Sequence, residues 1–118
     1  MLREPARITV VNVDNENKET VFVIYRSNGK EFRFDHDYFV AEHLPLVRKA
    51  WEQYGLVSST AVYPKGEGDI VVVAVNEFRD EQAAIAAFGS PESEAVMSDI
   101  VRYTDLIPVR FRGVSFSY

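Results

Sequence analysis

The chain has 118 residues, of which 47% are apolar, and its net charge is −5, which suits one soluble globular domain with a single core. Its thirteen basic residues are scattered along the sequence, against a nucleic-acid surface, because phosphate binding needs a concentrated patch. There is no cysteine, so disulfides, thiolate zinc sites and thiol nucleophiles are excluded. No apolar run is long enough to span a membrane, and the opening MLREPARITVV lacks a signal-type apolar region, so a cytoplasmic protein is expected.

In chain order, residues 7–13 (RITVVNV) and 20–26 (TVFVIYR) are β-branched runs joined by a polar turn, and Ser27-Asn28-Gly29-Lys30 signals a second turn. A helix is expected from Asp35 or Asp37, where a carboxylate can cap free N–H groups, to Gly55. At about 100° per residue, Phe39, Val40, Leu44, Leu46, Val47, Ala50, Trp51 and Tyr54 share one arc. His43 lies near its middle, and the stripe runs in phase through Pro45, which predicts a kink. Residues 56–63 and 69–78 read as strands joined by a Pro-Lys-Gly-Glu-Gly turn. The second, apolar on both faces, should lie centrally. Asp80 should cap a short helix ending at Gly89, and Ser90-Pro91 should start another reaching about Tyr103. The last strand is expected at 107–118, with a bulge at Gly113 shifting its inward set from Val109 and Phe111 to Val114, Phe116 and Tyr118.

Setting aside the first run, this order is β-α-β-β-α-β, an α+β, ferredoxin-like arrangement: an antiparallel sheet with two helices on one face. Residues 1–19 read as an extension with an extra short strand and 20–118 as the domain proper. The other sheet face also carries many apolar residues. A second copy is the simplest cover for it, so a homodimer is expected.

Phe34, Asp35, Asp37, Tyr38, His43, Pro45, Leu46 and Val47, within FDHDYFVAEHLPLV, together with the terminal YTDLIPVRFRGVSF, resemble the pattern of the EthD family of dimeric α/β-barrel proteins. The family is named from ethyl tert-butyl ether degradation. Phe39 stands where a second tyrosine is usual. The resemblance covers about residues 20–117 and implies a pocket between sheet and helices for a small, mostly apolar metabolite. Phe34, Tyr38, Phe39, Val47 and Trp51 would line it. Related families include isomerases, dehydratases and cofactor-free monooxygenases, so no cofactor is expected. Fold likeness alone assigns no reaction.

His43 reads either as a general acid–base at the pocket, since imidazole titrates near neutrality, or as a core histidine bonded to a carbonyl. Tyr103 and Asp105 fall at the junction before the last strand. There a phenol could hold a developing oxyanion and a carboxylate could orient His43; the plainer reading is packing and turn capping. Asp35 and Asp37 cannot share a proton on one helix face. His36 and His43 are about 10 Å apart along a helix, so no metal site is expected. Lys65–Asp69 is an acidic turn before a strand, not a phosphate loop, and no serine lies in a G-x-S-x-G context. The residues together with the resemblance leave open three readings: acid–base catalysis of the isomerase, dehydratase or cyclase type on a carbonyl-bearing or aromatic metabolite; ligand binding without turnover as an accessory protein of a degradation pathway; and a purely structural dimer whose cavity is filled by its own side chains.

Overall fold

The computed structural model describes residues 18–115. The expected strand at 7–13 and the end of the chain, Phe116 and Tyr118 included, lie outside them. Four strands, β1 (Lys18–Arg26), β2 (Leu56–Val62), β3 (Ile70–Phe78) and β4 (Val109–Ser115), form one antiparallel sheet in the order β2-β3-β1-β4. With helices between β1 and β2 and between β3 and β4, this is the ferredoxin-like α+β fold anticipated from the order of elements.

The first helical segment, α1, is compound: an α turn (His36–Tyr38), a π-helical turn (Phe39–His43) and an α-helix (Leu44–Trp51). Asp35 caps its start, its side chain accepting from Tyr38 N at 3.0 Å. The anticipated kink at Pro45 takes the form of the π turn just before it. Proline has no N–H and its ring crowds the carbonyl four residues back; a wider turn relieves that clash, with Leu44 N donating to Phe39 O. A 3₁₀ turn (Glu52–Tyr54) leads to Gly55 at φ 111°, a conformation that favours glycine. A Cβ there would also lie 2.7 Å from Ala83 Cβ.

Helix α2 (Glu81–Phe88) is capped by Asp80, whose side chain accepts from Ala83 N. The following helix differs from expectation. Ser90 does not cap it; its hydroxyl donates back to Ala87 O and closes α2 instead. The α-helical part, α3, is only Ser93–Ser98, followed by a 3₁₀ turn (Ile100–Arg102). Among the described residues no helix is long and apolar enough to cross a membrane.

All three helices cover one sheet face. Val21, Leu56 and Phe78 from the sheet meet Val47, Ala50, Trp51, Ala83, Ala84, Ala87 and Val96 from the helices. Trp51 Nε1 donates to Ser93 Oγ at 2.9 Å, and that hydroxyl donates to Ala87 O at 2.6 Å, so one serine joins α1, α2 and α3. A second cluster of Tyr25, Phe39, Val72, Ala74 and Tyr103 lies at the other end of the sheet.

The register of β1 with β4 runs unbroken from Lys18–Ser115 to Ile24–Val109. The expected bulge at Gly113 is therefore absent: strict alternation puts Arg110, Arg112 and Val114 on the helix side and Val109 and Phe111 on the other. The β4 ladder starts only after Pro108, which has no N–H to donate. On the side away from the helices, Phe22, Val75 and Phe111 lie in one cross-strand row, and Ile24, Val62, Val73 and Val109 in the next. Phe22, Val62, Val109 and Phe111 remain exposed there.

Candidate functional site

Between α1, α3 and the sheet lies a pocket of about 310 Å³. Its floor is Val21, Val23, Tyr25, Ala74 and Asn76; its roof includes Phe39, His43, Val47, Trp51 and Val96; Pro108 and Arg110 stand at the β4 side. Among the described residues the polar groups in this otherwise apolar lining are few: His43, Asn76, Arg110 and Tyr25.

His43 is buried, and its Nδ1 donates to Asp99 Oδ2 at 2.9 Å. Accepting that bond, the carboxylate fixes the tautomer with the proton on Nδ1 and leaves the Nε2 lone pair for whatever enters the pocket. Burial pushes the imidazole below its ordinary pKa, and the hydrogen bond and negative charge of Asp99 pull it partly back up. Phe39 stacks on the ring at 5.6 Å and 18°, and Tyr103 lies 4.6 Å from it, centroid to centroid.

Asp99 follows α3 directly and is buried. A carboxylate is electrostatically disfavoured at the end of a helix, so its donors matter. Oδ2 accepts from His43, Oδ1 accepts from Tyr38 Oη at 2.7 Å, and Arg102 Nε lies 3.6 Å from Oδ1. Tyr38 and His43 are five residues apart. In a regular α-helix they would point about 140° apart and could not both reach one carboxylate. The π turn between them, with its i to i+5 hydrogen bonding, brings the fifth residue back over the first. The irregularity in α1 is what assembles the site.

Of the side chains singled out in the sequence, His43, Phe39, Val47 and Trp51 line the pocket. Phe34 packs instead in the aromatic cluster, 5.4 Å from Tyr25 and 5.2 Å from Phe39, and Tyr38 serves Asp99. Tyr103 is wholly buried beneath the lining, its hydroxyl 2.6 Å from that of Tyr25. Desolvation is the main reason both phenols are raised, Tyr25 to about 12 and Tyr103 further still, so both stay protonated at any working pH. The expected orienting role of Asp105 is corrected. Its carboxylate accepts from Arg33 N at 3.0 Å, and the partner of His43 is Asp99. Asp105 belongs to a clamp in which Arg33 also donates to Val101 O and Arg102 O, and Thr104 Oγ1 donates to Arg33 O. That clamp fixes the lead-in to α1 against the segment before β4.

Asp99, Tyr25, Asn76 and Arg110 were not singled out by sequence reasoning. Asp99 opens the same DIVRYTD segment as Tyr103 and Asp105, but only the folded chain shows which of the two aspartates faces the ring. His36 is exposed against Phe34 and Tyr63, and among the described residues no three His, Asp or Glu side chains gather as a metal site would need.

No protein-family model and no curated protein matches the sequence. Among solved structures, an EthD-like protein from Ralstonia eutropha JMP134 superposes with a TM-score of 0.69 at 23% identity, covering 83% of this chain and 91% of its own. An ethyl tert-butyl ether degradation family protein from Bacillus halodurans C-125 gives 0.62 at 17% identity, covering 81% and 96%. SnoaB, a cofactor-independent oxygenase from Streptomyces nogalater, gives 0.58 at 11% identity, covering 86% and 96%. The chain shares its fold, a ferredoxin-like α+β arrangement, with these proteins.

Proposed function

We propose that the protein is a cofactor-independent acid–base catalyst acting on a small, mostly apolar carbonyl compound, with His43 as the proton carrier and Asp99 as its positioning residue. The carrying observation is the 2.9 Å bond from His43 Nδ1 to a buried carboxylate on a ring that lines an apolar pocket. A neutral imidazole whose other nitrogen is held by a carboxylate is a base aimed at its cavity. In the reaction, Nε2 takes a proton from carbon next to the substrate carbonyl, and the C–H electron pair moves into the carbonyl to form an enolate. Asp99 stabilises the imidazolium. Where the enolate is conjugated with a C=C, return of the proton to the far carbon, with the double bond moving into conjugation with the re-formed carbonyl, completes an isomerisation; loss of a β-hydroxyl as water, protonated by the imidazolium, completes a dehydration. Tyr25, with its oxygen accepting from Tyr103, is the phenol able to donate to the enolate oxygen, so the oxyanion role expected of Tyr103 passes through Tyr25.

The working unit is a homodimer. The apolar rows of Phe22, Val75 and Phe111 and of Ile24, Val62, Val73 and Val109 are suited to a second sheet packed face to face.

The test is exchange of the α-hydrogens of a panel of small aryl ketones and lactones with solvent deuterium, followed by NMR. The protein should accelerate exchange for at least one member, and His43→Gln should lower that rate by about 10²–10⁴. Exchange unchanged by His43→Gln would remove the mechanism. Ligand-induced shifts of the His43 ring with no exchange would instead make the pocket a binding site without turnover.

A further inference from the structure

We infer that the pocket takes an organic anion, a small apolar acid whose carboxylate is held by Arg110. The inference rests on the pocket proposed above, but not on its chemistry. Among the described residues the pocket lining contains one arginine and no aspartate or glutamate, in a chain whose net charge is −5. A cation therefore borders the apolar cavity with no acidic side chain among the described lining residues to answer it.

The neighbouring arginine shows what an answered charge looks like on this strand. Arg112, on the same face of β4 two residues on, has its Nε 3.5 Å from a carboxylate oxygen of the buried Glu19. Arg110 has no carboxylate within 4.0 Å among the described residues; its guanidinium lies over the Phe88 ring instead, 4.2 Å from the centroid. Stacking on an aromatic face uses the flat side of the guanidinium. It leaves the N–H groups at the edge, in one plane, as a fork that matches a carboxylate.

A second donor stands across the floor. Asn76, on β3, is buried, and its Oδ1 accepts from Ser59 Oγ at 2.6 Å. That bond occupies the acceptor end of the amide, so the NH₂ end is what the pocket can use, and among the described residues it has no hydrogen-bond partner. A buried amide N–H without a partner is costly, and a carbonyl or second oxygen of the ligand would satisfy it. Arg110 and Asn76 approach from strands on either side of β1, so the floor offers two donors separated by apolar residues. An acid with a hydrocarbon or aryl body and a further oxygen matches that spacing of chemistry. The neutral His43 ring contributes no negative charge to oppose it.

Benzoylformate and its methyl ester are suitable probes, because neither carries a hydrogen next to the ketone and neither can be turned over by proton abstraction. Calorimetric titration of the whole protein at low and moderate salt should show the acid binding at least 10-fold more tightly than the ester, with the difference shrinking as salt rises. Arg110→Gln should abolish the difference. Arg110→Lys, which keeps the charge but not the fork, should retain only part of it. His43→Gln should leave it in place. Equal binding of acid and ester, or a preference untouched by Arg110→Gln, would overturn the inference. Because binding is read without turnover, loss of catalysis in His43 variants bears on the reaction alone, and loss of the acid preference bears on Arg110 alone.

Discussion

Tyr38 and His43 share one carboxylate, the phenol bonded to Asp99 Oδ1 and the imidazole to Oδ2. Each oxygen is committed, so neutralising the group acts on both partners at once. Both the hydrogen bond and the charge of Asp99 raise the His43 pKa against the lowering by burial. Asp99→Asn removes the charge and leaves burial dominant. The ring should then titrate below its wild-type position, as followed by its carbon-bound proton shifts in NMR; a titration at or above the wild-type value would show that Asp99 does not act on His43.

The same burial makes stability depend on pH. The folded-state pKa of His43 lies below its ordinary 6.5, so the unfolded chain binds the proton more readily. Stability should thus fall as the pH drops below about 6.5 and level off once it passes the folded value. Urea midpoints measured from neutral pH down to about pH 5 should slope downward for the wild type and less steeply for His43→Gln. Equal slopes would assign the dependence to other groups.

The hydroxyls of Tyr25 and Tyr103, 2.6 Å apart, satisfy each other in the cluster beneath the pocket. Tyr25→Phe strands the Tyr103 hydroxyl where no water reaches it, at a cost of about 1–3 kcal/mol. Removing both hydroxyls leaves no orphan. The double variant should consequently be destabilised by less than the sum of the singles, a coupling that chemical denaturation can resolve. Additive losses would mean that each hydroxyl has another partner.

Phe111 stands on the open sheet face opposite Phe22. Phe111→Glu puts a charge in the middle of the proposed dimer contact, where it would be desolvated without a partner. Sedimentation should change from dimer to monomer while the far-ultraviolet circular dichroism of the protomer is kept. A wild-type protein that sediments as a monomer would remove the dimer, and the fold would stand.

What was legible in the sequence was what depends on near neighbours. The runs TVFVIYR and DIVVVAVNEF declare strands through β-branched residues, and Asp35 and Asp80 cap their helices because a cap bonds an N–H three residues on. Ser90 shows the limit of that rule: the same residue type can bond back to a carbonyl, and the choice depends on how α2 ends. His43 stood out because a fixed 100° step put it among apolar residues. That step also hid the pairing of Tyr38 with His43, which are brought together only by a turn the regular template does not contain. Asp99 is 56 positions from His43, and no periodicity links positions on different elements. Arg110 was missed for a related reason. The bulge expected at Gly113 drew attention to the apolar residues of β4, whereas the unbroken register sends its arginines to the pocket side.

The π turn in α1 gives chain length a role that side-chain identity does not share. Deleting one exposed residue within it, such as Ala41, would close the segment into an ordinary helix and set the Pro45 ring against the carbonyl four residues before it. Every named side chain would still be present. Tyr38 and His43 would then stand four apart, about 40° around a regular helix, and could both still reach Asp99. The cost falls on the backbone instead, where the clash that the π turn relieves returns. The extra residue in α1 is thus what lets Pro45 sit within the helix, and a comparison of relatives that scores only substitutions would overlook its loss.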